Sequence, residues 1–190
     1  MKNFEQQVEA GGNELPIFKM GALNNSMVEI IVKKFELDNT PGAWNPLPKI
    51  IGGMTEIQSM VGEMNLFTLG KETVNKAAFP PISDLKEAYE SLDIAYHMNH
   101  RLNGEVMFNP ESGKMLEGIG HYILTSYDAT EKRATMKCHT PYPSKYEEGL
   151  LLQLTRKFKP EGSAMGRVEL DPTQESRLRG GDSCTFIMTW

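Results

Sequence analysis

The side chains of this chain best suited to ligation or nucleophilic chemistry are four histidines and two cysteines. His97 and His100 stand as His-x-x-His, a spacing that lets two helical side chains share one face and one ion. Cys138 and His139 are adjacent, so on a strand they point to opposite faces and cannot both serve one ion. Cys138 would be a nucleophile only if a cationic neighbour or a helix N-terminus lowered its pKa, and the nearest helix start is at Ser144. The plain reading of these groups is structural: two histidines near a helix end bonding carboxylates or carbonyls, and a buried thiol. Gly180-Gly181-Asp182 precedes no helix and reads as a hairpin turn rather than a phosphate loop. There is no Gly-x-Gly-x-x-Gly after a strand and no Walker lysine, so nucleotide cofactors lack support. Nothing in these motifs calls for an enzyme.

Composition narrows the partners. A net charge of −5 argues against a broad surface for nucleic acid or anionic membrane, and no run approaches the ~20 apolar residues that span a bilayer. The basic stretches 156–159 and 177–179 read as a solvated helix end and loop. Two cysteines make no disulfide framework, and no signal segment precedes the first elements, which predicts a cytoplasmic protein. Twelve methionines, among them Met54, Met107 and Met136, fit irregular core filling or an adaptable apolar pocket.

The elements that must position these residues follow from period and punctuation. Residues 1–14 read as a loose arm of one domain covering 1–190, and 15–23 as a short strand or extended lead-in. Ser26 and Glu29 have capping-box spacing for a helix to about Leu37. Apolar residues at Ile50, Met54, Ile57, Val61, Met64 and Phe67 predict one helical face over 49–69. Ser83 opens a helix to about Arg101, striped by Leu85, Ala88, Tyr89, Leu92, Ala95 and Tyr96, with His100 at its edge. After Gly120 the period changes to that of strands, at 121–127 and 133–139. Ser144 and Glu147 then make a second capping box for a helix whose face is Tyr146, Leu150, Leu154 and Phe158. Two final strands, 164–170 and 183–190, complete the pattern. The economical solution is α+β: a helical N-terminal half packed on a four-stranded antiparallel sheet, the C-terminal half being hairpin–helix–hairpin.

The stretch Asp93-Ile94-Ala95-Tyr96-His97-Met98-Asn99-His100-Arg101, the turn Cys138-His139-Thr140-Pro141-Tyr142-Pro143 and the run Arg179-Gly180-Gly181-Asp182-Ser183-Cys184 resemble a bacterial group. That group belongs to the superfamily of 4-vinyl-reductase-like hydrocarbon-binding and haem nitric-oxide-binding domains. Small subunits of vesicle-tethering complexes share the fold. The resemblance implies helices on an antiparallel sheet, often as a dimer, with an apolar guest between them. It implies a ligand site at Tyr89, Leu92, Tyr96, His100, Met136 and Cys138 for a small hydrophobic molecule, signalling through a partner protein. The other reading it allows is a scaffold with a filled core. The haem branch carries Tyr-x-Ser-x-Arg, whereas Tyr142-Pro143-Ser144-Lys145-Tyr146 lacks the arginine, so no cofactor is expected and haem is set aside. Zinc-bearing members use a cysteine cluster near the last hairpin, where only Cys184 stands, so no metal is expected.

Overall fold

The computed structural model describes residues 7–11, 18 and 24–190. The chain enters on β1 (Val8–Gly11), inside the segment expected to be a loose arm. Val8 and Ala10 are both buried, so alternate side chains anchor the strand despite its polar surroundings. The lead-in expected over 15–23 lies outside the described residues except for Phe18, which is buried. α1 (Asn25–Lys34) is capped not by Ser26 but by Asn24, whose side chain accepts the Met27 amide at 2.9 Å. β2 (Trp44–Pro46) lies in the proline-rich connector, and α2 (Leu47–Val61) follows with Pro48 in its first turn. The single face expected over 49–69 is interrupted at Gly62, whose φ of 86° is open to glycine without strain. α3 (Glu63–Lys76) starts on a new axis, which leaves Val61 and Met64 exposed instead of in the stripe.

α4 (Leu85–Met98) opens on Asp84, which accepts the Glu87 amide at 2.8 Å, while the Glu87 carboxylate accepts the Ser83 amide at 2.7 Å. It ends before the expected Arg101. The Asn99 side chain takes the Ala95 carbonyl at 2.7 Å, and His100 already belongs to β3 (His100–Leu102). β4 (Glu105–Val106) pairs with β3, and β3 with β1, giving a small antiparallel sheet in the order β2-β1-β3-β4. β5 (Phe108–Asn109) and β6 (Lys114–Met115) form a separate hairpin. Strands of two to four residues are too short to print a period-two pattern, so of this sheet only β4, inside a short strand expected over 105–108, had a sequence signature.

The C-terminal half follows the expected plan. β7 (His121–Asp128) turns into β8 (Arg133–His139) through Asp128, whose carboxylate accepts the Thr130 and Glu131 amides at 2.9 Å. α5 (Ser144–Phe158), β9 (Arg167–Leu170) and β10 (Cys184–Thr189) complete a sheet ordered β7-β8-β10-β9. Its inner face buries Ala134, Met136 and Cys138 from β8 and Cys184, Phe186 and Met188 from β10. Ser144 makes no cap bond to α5. Tyr146, Leu150, Leu151 and Leu154 are buried, and Phe158 is half-buried, its ring edge-on to Phe79 at 5.1 Å. Burial extends round α5 because α3 covers the side away from the sheet. The two helices touch backbone to backbone. A Cβ on Gly149 would lie 2.0 Å from the Phe67 carbonyl oxygen, and one on Gly70 would lie 2.0 Å from that of Tyr146. No helix among the described residues is long and apolar enough to cross a membrane.

Two substitutions test this packing in urea titrations. Leu154→Ala should destabilise by about 2–5 kcal/mol, the range for a fully buried leucine. Gly149→Ala should cost about 1–3 kcal/mol or more, because a single methyl must force two helices apart. A loss below ~0.5 kcal/mol for Gly149→Ala, within the range of a neutral surface change, would mean that the helices do not cross this closely.

Candidate functional site

α4 and the first residue of β3 carry four of the six residues the sequence singled out, and β8 carries the other two. Tyr96 donates its hydroxyl to the Ile119 carbonyl at 2.8 Å. His100 donates from Nδ1 to the Tyr96 carbonyl at 2.7 Å, so its Nε2 accepts from the Tyr142 hydroxyl at 3.0 Å. Burial pushes the His100 imidazole down to about 4, which keeps it neutral near pH 7. The Tyr96 ring lies 4.5 Å from His100, 5.2 Å from Tyr122 and 6.1 Å from Tyr142, ring centre to ring centre. Cys138 is the cross-strand partner of Tyr122 and completely buried, as is Met136. Burial, reinforced by Glu147, pushes the Cys138 thiol well up, which disfavours the thiolate a nucleophile needs. Tyr89 stands apart, donating to Thr155 at 2.6 Å, and Leu92 is half-buried at the edge of the core.

A second polar group was not foreseen. Glu147, read from the sequence as half of a capping box, is wholly buried. One carboxylate oxygen accepts the Thr140 hydroxyl at 2.5 Å, and the other accepts Arg177. Arg177, expected to be solvated, also donates to the carbonyls of Cys138 at 2.9 Å and Thr140 at 3.2 Å. The network ties α5 to the end of β8 and to the 3-10 turn Arg177–Arg179. Burial raises the Glu147 carboxyl to about 8, against the pull of Arg177 and Thr140. Capping spacing gave the wrong role because the partner, thirty positions away, is invisible to a local pattern.

A third group joins α4 to β7. Asp93 and His97 stand one helical turn apart, and one ligating atom from each of Asp93, His97 and His121 lies within 4.8 Å of the other two. His97 is fully buried, donates from Nδ1 to the Asp93 carbonyl at 2.8 Å, and has no partner for Nε2. His121 meets an Asp93 oxygen through Nδ1 and a Glu117 oxygen through Nε2, each at 2.9 Å. The other Asp93 oxygen accepts the Tyr122 amide at 2.9 Å. Partial burial disfavours charge on His121, but the two carboxylates outweigh it and raise its pKa. The i, i+4 spacing of Asp93 and His97 was the signal present in the sequence.

Glu147 also carries a pH dependence. Its folded value lies above its ordinary 4.5, so its contribution to stability is full below about 4.5 and is lost as pH rises through about 8. Urea midpoints measured from pH 5 to 9 should fall across that window, and Glu147→Gln should flatten the decline. An unchanged slope in Glu147→Gln would show that another group titrates.

Two openings of about 330 and 220 Å3 lie elsewhere, one beside Lys132, Met165 and Trp190, the other beside Lys145, Leu170 and Leu178. No protein-family profile matches the chain. No curated protein matches it either. Solved structures do. One described as modulating haem redox potential through porphyrin distortion aligns with a TM-score of 0.57 at 15% identity, covering 89% of this chain and 92% of its own. A second, probing haem distortion in the H-NOX family, aligns at 0.57 and 15% identity, over 87% and 85%. The Fe(II) unliganded H-NOX protein from K. algicida aligns at 0.51 and 15%, over 87% and 86%. These matches correct the expectation that haem can be set aside. The absent Tyr-x-Ser-x-Arg was the ground for it, yet the structures that share this architecture almost end to end are described by their haem. With helices and antiparallel sheets in the same arrangement, this chain has the haem nitric-oxide-binding-like fold.

Proposed function

We propose that this chain is a small-molecule sensor domain with haem as its guest, bound at His100 and signalling through a partner protein. The observation that carries the reading is the state of His100. A neutral, buried imidazole whose Nδ1–H is held by a backbone carbonyl leaves Nε2, now bonded to the Tyr142 hydroxyl at 3.0 Å, as its one ligating atom, the tautomer of a metal-bound histidine. Haem bound there would supply an iron centre able to take a diatomic gas. Tyr96, Met136 and Cys138 contribute a dry wall, Leu92 stands half-buried at its edge, and Tyr89 stiffens α4 through Thr155. Tyr142 decides access, since its hydroxyl occupies His100 Nε2 and its ring packs on Tyr96. Arg177 is committed to Glu147 and cannot anchor a propionate without breaking that pair. Ile94 and Met98, exposed one turn apart on α4, offer an apolar strip to a signalling partner or a second copy of the chain.

The filled aromatic cluster around Tyr96 favours a second reading, a protein-interaction module of the same fold. Titration with haemin separates the two. The sensor reading expects a sharp Soret band at one haem per chain, stronger uptake in Tyr142→Ala, and loss of the band in His100→Ala with circular dichroism unchanged. If neither the wild type nor Tyr142→Ala takes up haem stoichiometrically, the sensor reading fails.

A further inference from the structure

We propose that Asp93, His97 and His121 form a binding site for one divalent transition-metal ion of zinc type, separate from the guest site at His100. The donor set is two imidazoles and a carboxylate, a common combination where zinc keeps a fourth position open for water or another ligand. What distinguishes this cluster from a chance meeting of polar groups is that every donor is already oriented by a second contact. His97 donates Nδ1–H to the Asp93 carbonyl, so the lone pair resides on Nε2, which is buried and has no protein partner. A buried nitrogen acceptor without a hydrogen bond is costly, and an ion would satisfy it. His121 gives Nε2–H to Glu117, which leaves Nδ1 facing Asp93 and reproduces the carboxylate–histidine–metal relay that raises ligand basicity. Asp93 is steadied through one oxygen by the Tyr122 amide, and its other oxygen, now meeting His121 Nδ1 at 2.9 Å, would turn to the ion.

Zinc holds nitrogen and oxygen donors at about 2.0–2.2 Å, so the three side chains, each with a ligating atom within 4.8 Å of the others, must draw in, His97 turning to present Nε2 where Nδ1 now lies 3.6 Å from an Asp93 oxygen. The helix supplies two donors one turn apart and β7 supplies the third, so an ion would clamp α4 to the sheet. His121 and Asp93 are partly exposed, which gives an ion a way in from solvent. Binding replaces the proton on His121 Nδ1, which leaves to solvent, and breaks no covalent bond.

The test is calorimetric titration of metal-free protein with Zn2+, with Co2+ as a spectroscopic probe. One ion per chain is expected, with a rise in Tm and visible d–d absorption from cobalt in a four-coordinate nitrogen–oxygen site. His121→Gln should abolish tight binding, and Glu117→Gln should weaken it about 10- to 100-fold, as removal of an orienting group does. His100→Ala should leave zinc affinity unchanged, which keeps this site's fate distinct from that of the haem reading. Wild-type affinity in a folded His121→Gln protein, or no stoichiometric zinc binding by the wild type, overturns the proposal. Should His121→Gln not fold, the cobalt spectrum of the wild type decides, and its absence overturns the proposal as well.

Discussion

Gly70 and Gly149 let the backbones of α3 and α5 meet, each occupying the space a side chain would need against the other helix's carbonyl oxygen. Everything on the far side of α5 depends on that closeness. With α3 against one side, the helix is pressed onto β9 and β10, and its leucines close the core from both directions. Interiors pack at the density of organic crystals, so a helix held between two layers has no freedom to drift outward and admit water. The same squeeze strips solvent from Glu147, which lies two residues before the glycine.

Once Glu147 is buried, its surroundings are no longer a free choice. An unpartnered buried carboxyl is costly, and the structure brings Arg177 and Thr140 to it from different parts of the chain, which offset burial in part. Arg177 in turn donates to the carbonyls of Cys138, at the last rung β8 shares with β10, and of Thr140, just beyond the strand. The packing contact and the polar network are thus one device. It holds the turn after β8, and with it Tyr142, at a fixed distance from His100.

α4 is the functional counterpart of α5. Its C-terminal end presents three kinds of group within five residues: a carboxylate at Asp93, a buried histidine at His97, and a ring at Tyr96 tilted against His100 at 4.5 Å. One side of this turn looks to β7 and a polar, partly wet cluster. The other looks into an aromatic interior from which water is excluded. The two chemistries proposed, ion binding and haem binding, differ because burial lowers the pKa of His100, whereas at His121 the carboxylates of Asp93 and Glu117 outweigh partial burial and raise it.

The sequence by itself determined the C-terminal architecture. Strand period, the Asp128 turn, Pro143 before α5 and Pro160 after it are local signals, and local interactions suffice to set where strands and helices begin. It also set Tyr96 and His100 together at the end of α4, although it carried His100 on the helix where Asn99 had already ended it. The tertiary structure decided the rest. β1 became a strand because Val8 found a core, Gly62 split one apolar stripe into two helices, and Glu147 changed from cap to buried partner of Arg177. His97 and His121, 24 positions apart, met only when α4 docked on β7. Each of these rests on contacts between residues distant in sequence, whose energies come from burial and pairing that no local pattern encodes.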